Sequence, residues 1–486
     1  MKPVTVREIC DAVRGTLCGS GAETINGVSA NTRELRQGEV FFALVANRDG
    51  HQFVPAAFAA GSPVAVVSKA VDIPQGRSLI FVGDTLRALG DLAAWHRRRM
   101  PATVIGVTGS NGKTTTKEML GHILAAAAPT IKSPGSFNNA LGVPLTLFRV
   151  EEADRYAVIE MGTSSHGEIS RLAEIAAPAI GVVTNVSATH LQGLGNPKGV
   201  AAEKGCLIEA LPADGCAVLN GDDYWCREMA ARSRARVVRH GLHEGCEVRA
   251  TGVEASGTGM RFEALGRAFQ LRVMGEHNVS NALAAIAACT ELGLRPELIA
   301  ERLATFHLLP MRMERIEIGS ITVYNDAYNA NLASMLAALR EFSRLRVPGR
   351  KIAVCGDMLE LGEQSEEIHR EVGRRVAGLG FDALIAVGET ARHLANGAAG
   401  SGMPEERIRY FATTHDACGM LPRLLERCDT LLLKGSRRME LERMVAAVQS
   451  WEPTGATATT DAAAALYHTF RAQAHRAPSD SQVAGA

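Results

Sequence analysis

The stretch T-V-I-G-V-T-G-S-N-G-K-T-T-T-K-E, residues 103–118, constrains this chain more than any other. A run of buried-strand character is followed at once by a glycine turn and then by residues that open a helix. That succession is the local geometry of a phosphate-binding loop. Two glycines let backbone N–H groups curl around an anion, and the helix N-terminus adds partial positive charge. In that frame Lys113 reaches the outer phosphates and the Thr114 hydroxyl meets Mg2+, while Gly109, Ser110, Asn111, Gly112 and Thr115 complete the nucleotide site. The spelling departs from G-x-x-x-x-G-K-[ST]: Val107 stands where the first glycine belongs, and Gly106 falls one residue too early. The competing reading is a strand–turn–helix corner with an incidental lysine.

The sequence around the loop predicts the sheet that such a loop needs. Y-A-V-I-E-M (156–161) and A-I-G-V-V-T-N (179–185) alternate with helical patterns at 117–127 and 169–176. This reads as an α/β fold with a mostly parallel sheet in a central P-loop ATPase domain. Residues 235–275, including R-V-V-R and R-F-E-A-L, read as antiparallel strands, and an alanine-rich helix follows at 279–292. Pro101 and Pro310 mark the expected boundaries. Residues 1–100 then form a smaller α/β domain, with strand-like runs at 39–45 and 64–68 and a helix at 85–100. Residues 101–309 form the central domain. Residues 310–452 form a Rossmann-like unit with strands K-I-A-V-C-G, A-L-I-A-V-G, R-I-R-Y-F-A and T-L-L-L-K-G. Residues 453–486 read as a partly disordered tail with a short helix at 462–474. Three domains suit a chain of 486 residues.

Composition narrows the function. Lys plus Arg and Asp plus Glu each number 52, so the formal net charge is zero, which argues against a nucleic-acid partner. The 10 cysteines show no C-x-x-C pair and no zinc spacing, so they read as reduced thiols. The opening M-K-P-V-T-V-R-E-I-C-D carries two acids and a broken apolar run, unlike a signal peptide. No run is long and apolar enough to predict a membrane span.

Other residues gain meaning from the loop. Glu160 ends a strand where ligands of parallel sheets gather. It reads either as a metal carboxylate or as a solvated strand end. His190, in V-S-A-T-H, follows the next strand and falls at the same sheet edge, although a lone histidine is more often structural. Lys204 reads from its neighbours as an ordinary helical lysine. Asn278 and Asn281 share a helical face, and either suits a helix cap. Asp357 and Glu360, three residues apart, match a capping box at a helix start.

T-G-S-N-G-K-T-T resembles the ATP loop of the Mur ligases, which activate a carboxylate as an acyl phosphate and let an amine displace phosphate. The resemblance extends over about residues 25–450. It implies that Glu160 and His190 help hold a second Mg2+ and that Lys204 becomes a carbamate supporting a metal. Lys113, Glu160, His190 and Lys204 are then the catalytic set, and Thr114 joins the last three at the metal. The resemblance gives Asn278 and Asn281 the adenine side of ATP, Arg312 its phosphates and Asp326 its ribose. S-A-N-T-R-E-L-R, with Ser29, Thr32 and Arg33, and S-F-N-N, with Asn138 and Asn139, resemble the segments that meet a uridine-diphosphate sugar. Asn31 replaces the usual aspartate, and Leu332 replaces a proline after N-A-N. Asn329, Asp357 and Lys434 are the substrate candidates of the third domain.

C-G-D-M-L-E-L-G-E and L-L-L-K-G-S-R-R look like the branch that adds D-alanyl-D-alanine to UDP-N-acetylmuramoyl-tripeptide, and the D-N-P-R segment of diaminopimelate-adding members is absent. The resemblance therefore implies a cytoplasmic, monomeric ligase of peptidoglycan precursor synthesis that uses ATP and Mg2+, releases ADP and phosphate, and closes its domains. Three alternatives stay open: a ligase of the same superfamily adding another amine, including a folylpolyglutamate-type enzyme; a non-catalytic nucleotide-binding regulator; and a P-loop kinase.

Overall fold

The computed structural model describes residues 1–256 and 259–451, so the tail and the helix expected at 462–474 lie outside the described residues. The central domain is built on seven parallel strands. Their order is Val248–Arg249, Arg236–Gly241, Cys216–Asn220, Ile180–Val183, Thr103–Thr108, Tyr156–Glu160 and Thr130–Lys132. The middle strands are apolar throughout because both faces are covered. Ile105 and Val107 pack on one side with helices Lys113–Leu124 and Glu276–Glu291, while Val104 belongs to the core on the other side. Three neighbouring strands therefore end together: the one that enters the glycine turn, the one ending in Glu160, and the one leading to His190.

One expectation fails here. R-V-V-R is not antiparallel: Arg236–Gly241 pairs in parallel with Cys216–Asn220 and widens the central sheet. Within residues 235–275, antiparallel pairing is confined to a separate three-stranded sheet of Thr251–Ser256, Gly259–Ala264 and Arg267–Leu271. A short β-branched run carries no mark of its partner's direction. Here the crossover through helix Tyr224–Met229 sets it.

The N-terminal unit has a five-stranded sheet, ordered Thr16–Cys18, Ser78–Phe81, Val64–Val67, Glu39–Phe42 and Gly27–Ser29. Asp84 caps helix Thr85–Arg98 by accepting the Leu86 and Arg87 amides at 2.8 and 3.0 Å. This helix carries one apolar core across the boundary expected at Pro101. Leu89 and Leu92 share a cluster with Ile9 and Val66 on one side and Leu147 and Leu172 on the other. His96 Nε2 meets the Val150 carbonyl at 3.0 Å, and Arg171 reaches Asp91.

The third domain has six strands, ordered Glu314–Ile318, Ile321–Asn325, Thr430–Lys434, Lys351–Gly356, Ala383–Val387 and Ile408–Phe411. The first two are antiparallel and the rest parallel, as a Rossmann-like unit requires apart from its edge. The capping box read at Asp357 and Glu360 does not start a helix. The chain turns helical only from Gly362, and Asp357 instead accepts the Ala391 amide at 2.7 Å, where helix Ala391–Ala399 begins. Local spelling matched, but the orphan amide nearest the carboxylate belongs to another helix.

All ten cysteines are free. Among the described residues, no helix is long and apolar enough to cross a membrane.

Candidate functional site

The phosphate loop is four residues long, Gly109–Gly112, between the strand ending at Thr108 and the helix starting at Lys113. Val107 lies in the strand and is fully buried, so the position where a first glycine is usual belongs here to the core. The turn falls to Gly109 and Gly112, with φ of 147° and 81°. A Cβ on Gly109 would collide with Thr184 Oγ1, and one on Gly112 with Asn281 Oδ1, so both sites demand glycine. Lys113 folds over the loop, its Nζ 2.8 Å from the Gly109 carbonyl.

The polar run after strand Ile180–Val183 fastens the loop from the side. Ser110 N donates to the Asn185 carbonyl at 2.9 Å, Asn111 N donates to Asn185 Oδ1 at 3.0 Å, and Ser187 N donates to Ser110 Oγ at 2.9 Å. Thr189 Oγ1 reaches Ser110 Oγ at 3.3 Å, which brings the adjacent His190 to the loop's edge. Thr184, Asn185, Ser187 and Thr189 were not marked by sequence reasoning. Their signal was available: four hydroxyl or amide side chains in V-T-N-V-S-A-T-H, directly after a buried strand.

Glu160 is 1 % exposed. Its Oε1 accepts from Thr114 Oγ1 at 3.2 Å and from Asn138 Nδ2 at 3.0 Å. Its Oε2 is buried with no hydrogen-bond partner, and the nearest cation, Lys117 Nζ, stands 3.7 Å away. A buried carboxylate oxygen left in this state is costly unless a cation completes it.

Lys117 is a residue the sequence did not single out. It sits one helical turn after Lys113 and is fully buried. Its Nζ donates to the Ser133 and Gly135 carbonyls at 2.8 and 2.7 Å and pairs with Glu118 at 2.8 Å. It thereby ties the nucleotide helix to the loop that leads to Asn138. Burial opposes the Glu118 charge, but Lys117 and Lys132 outweigh it and hold that carboxyl below its ordinary range.

Lys204, on helix Pro197–Glu209, is 1 % exposed. Burial pushes its ammonium well below the usual lysine range, and the nearby Lys113 adds repulsion. The same helix presents Glu203 to the amides of Gly167 and Ile169 at 2.8 and 2.7 Å, so Lys204 stands on a firmly docked element. No group of three His, Cys, Asp or Glu side chains converges among the described residues. The residues that would hold a Mg2+ are Glu160 and Thr114, which touch at 3.2 Å, with His190 and a carbamylated Lys204 as the further expected ligands; so few carboxylates suit an ion that keeps phosphate and water ligands.

The other expected residues are spread over all three domains. Asn278 and Asn281 lie buried behind the loop, Asn281 Nδ2 donating to Asn278 Oδ1 at 3.2 Å. In the third domain Lys434 Nζ joins Asp326 Oδ2 at 2.6 Å and the Asn329 carbonyl at 3.1 Å. Arg312 lies 4.2 Å over the Tyr328 ring with its buried Nε unpartnered. Ser29 ends the edge strand of the N-terminal sheet, its Oγ donating to the Asn31 carbonyl at 3.0 Å, and Thr32 and Arg33 follow in the turn. Asn139 Oδ1 takes the Leu141 and Gly142 amides at 3.2 and 2.8 Å and shapes its own loop. Asp357 is engaged at the helix start already described.

The third domain reaches the loop directly. Asn331 Nδ2 donates to Asn111 Oδ1 at 2.7 Å, and Glu360 Oε2 meets His190 Nδ1 at 2.6 Å. The His190 ring, more than Arg438, holds the Glu360 carboxyl below its ordinary value despite partial burial.

Residues 107–289 match the Mur ligase middle domain, and residues 311–437 match the Mur ligase, glutamate ligase domain. The UDP-N-acetylmuramoyl-tripeptide–D-alanyl-D-alanine ligase of Bacillus subtilis (strain 168) is 36% identical over 446 residues, 91% of this chain and 97% of its own length. The crystal structure of MurF from Acinetobacter baumannii superposes with a TM-score of 0.85 at 30% identity, covering 93% of this chain and 99% of that one. MurF from Thermotoga maritima, solved in complex with ADP, gives 0.78 at 26% identity over 88% and 97% of the two chains.

Proposed function

The chain belongs to the Mur ligase family, and from that premise we propose that it joins D-alanyl-D-alanine to UDP-N-acetylmuramoyl-tripeptide at the expense of ATP, releasing ADP and phosphate in peptidoglycan precursor synthesis. The observation that carries the chemistry is Glu160. Its buried carboxylate touches Thr114 at the mouth of the phosphate loop, and its second oxygen has no hydrogen-bond partner and meets only Lys117 Nζ, at 3.7 Å. A buried carboxylate beside the loop hydroxyl supports a site that handles a metal-bound phosphoryl group.

A carboxylate resists amines, because its charge repels them and oxide is a poor leaving group. The tripeptide's terminal carboxylate therefore attacks the γ-phosphorus, the bond to the bridging oxygen breaks, and ADP forms. The dipeptide amine then attacks the acyl carbon, loses a proton, and the acyl C–O bond breaks as phosphate leaves. Lys113 leaves the Gly109 carbonyl to follow the transferring phosphoryl charge, and Arg312, its guanidinium 4.2 Å from the Tyr328 ring centre, offers a second cation. Mg2+, when bound, supplies further stabilisation of that charge. Asn138 fixes Glu160, so the loop expected to meet the sugar nucleotide is tied to the metal carboxylate.

Lys204 supports the carbamate reading: a buried amine pushed towards its neutral form is the form that adds CO2. The carbamate would place an anion beside Lys113, where an ammonium meets repulsion. Asp326, Asn329 and Lys434 form the polar cluster assigned to ribose and substrate, and Ser29, Thr32, Arg33 and Asn139 to the nucleotide sugar. The use of ATP and of a nucleotide-sugar substrate supports a cytoplasmic site of reaction.

The test mixes the protein with ATP, Mg2+, D-alanyl-D-alanine and UDP-N-acetylmuramoyl-tripeptide, then follows phosphate and product mass. Phosphate release should need both acceptors, and the product should weigh their sum less water. A phosphorylated product without free phosphate would mark a kinase. Phosphate release indifferent to the dipeptide would contradict the ligase reading.

A further inference from the structure

His190 and Glu360 lie in different domains, 170 residues apart, yet their side chains meet at 2.6 Å. Both hold left-handed backbone, with φ of 53° and 63°. Non-glycine residues keep such a conformation where surrounding structure imposes it, and such residues cluster at working sites. On the central side, the Gly193 and Leu194 amides bind the His190 carbonyl at 3.1 and 2.9 Å. On the other, the Leu359 amide is held by Ser436 Oγ at 3.0 Å, just before Glu360. Each domain thus aims a side chain across the boundary from a constrained turn. The Glu360 side chain is 57% exposed, and a polar contact so exposed adds little stability. Stability does not account for strain at both ends.

We propose that Glu360 is a positioning residue for His190. It accepts the Nδ1–H, fixes the ring as the tautomer whose Nε2 carries the lone pair, and so makes cation capture by His190 depend on the third domain being seated. The inference rests on the reading of His190 as a Mg2+ ligand. A ligating histidine commonly gives its other N–H to a carboxylate, and losing that partner weakens metal binding about 10–100-fold. The Asn331–Asn111 contact spans the same boundary, so the two domains are already registered at the phosphate loop. Sequence proximity cannot encode this coupling: the carboxylate comes from one domain and the imidazole from another.

The test uses the full chain with excess ADP and follows enzyme-bound Mn2+ by electron paramagnetic resonance. Glu360→Ala and His190→Gln should each weaken the protein-dependent Mn2+ by about tenfold or more. Glu360→Gln should retain part of the affinity, since its amide oxygen still accepts Nδ1–H. Glu363→Ala, an exposed neighbour, should change nothing. In 15N-histidine spectra the signal lost in His190→Gln should belong to an Nδ1-protonated ring, and in Glu360→Ala that ring should become a tautomer mixture. Unchanged Mn2+ affinity in Glu360→Ala, with loss in His190→Gln, would overturn the positioning role alone. Unchanged affinity in His190→Gln would overturn the metal assignment beneath it. An Nε2-protonated ring in the parent protein would also overturn the proposal.

Discussion

Asn331 Nδ2 donates to Asn111 Oδ1 at 2.7 Å, while Asn331 Oδ1 accepts the Ser334 amide at 3.0 Å. One side chain therefore caps helix Leu332–Arg344 and touches the phosphate loop. Asn and Asp cap almost equally well, so Asn331→Asp separates the two tasks. It should leave the melting temperature nearly unchanged but lower kcat/KM for ATP about 5–15-fold, the worth of roughly 1–1.5 kcal/mol. Asn331→Ala should also lose about 1 kcal/mol of stability. Thermal melts and steady-state rates check both.

Lys117 is buried among two carbonyls and Glu118. Lys117→Met would strand those groups, and removing one partner of a buried pair costs about 3–5 kcal/mol. Urea unfolding should show that loss. A loss below about 1 kcal/mol would mean that the pocket rehydrates and that the lysine is not the tie between helix and loop.

Lys204 makes the opposite prediction. Its folded-state pKa is depressed, so the unfolded chain binds more protons and stability rises with pH up to about 10.4, the ordinary lysine value. Lys204→Met removes the cost of neutralising the amine. It should be more stable than the parent at neutral pH, show a flatter stability profile between pH 7 and 10, and lack ligase activity. Chemical denaturation across that range checks the slope. Glu118 acts in the acid range: its depressed pKa contributes stability above the unfolded value of about 4.3, lost as pH falls through the folded value.

Lys113→Ala should abolish ADP release while leaving the circular dichroism spectrum and melting temperature near those of the parent. Wild-type-like turnover in that variant would remove the phosphate-loop assignment.

How much of this was legible depends on how local each cause is. Strand, glycine turn and helix sit in consecutive residues, so residues 103–118 announced both an element and a site. The position of Glu160 beside Thr114 followed from strand-end logic, because neighbouring parallel strands end at one edge of the sheet. Lys117 did not, since a lysine on a helix is ordinary until residues 133–135 fold over it. R-V-V-R hid its direction because pairing with Cys216–Asn220 is set by the chain between them. Asp357 spelled a cap for its own segment and capped a helix 34 residues further on. Pro101 marks a change of texture, yet helix Thr85–Arg98 carries one core across it.

The most direct test of the account labels the tripeptide's terminal carboxylate with 18O and analyses the phosphate released during turnover. An acyl phosphate requires that oxygen to leave with phosphorus, so each amide formed should yield one phosphate carrying a single 18O. Amide formation with unlabelled phosphate would contradict the account at its centre.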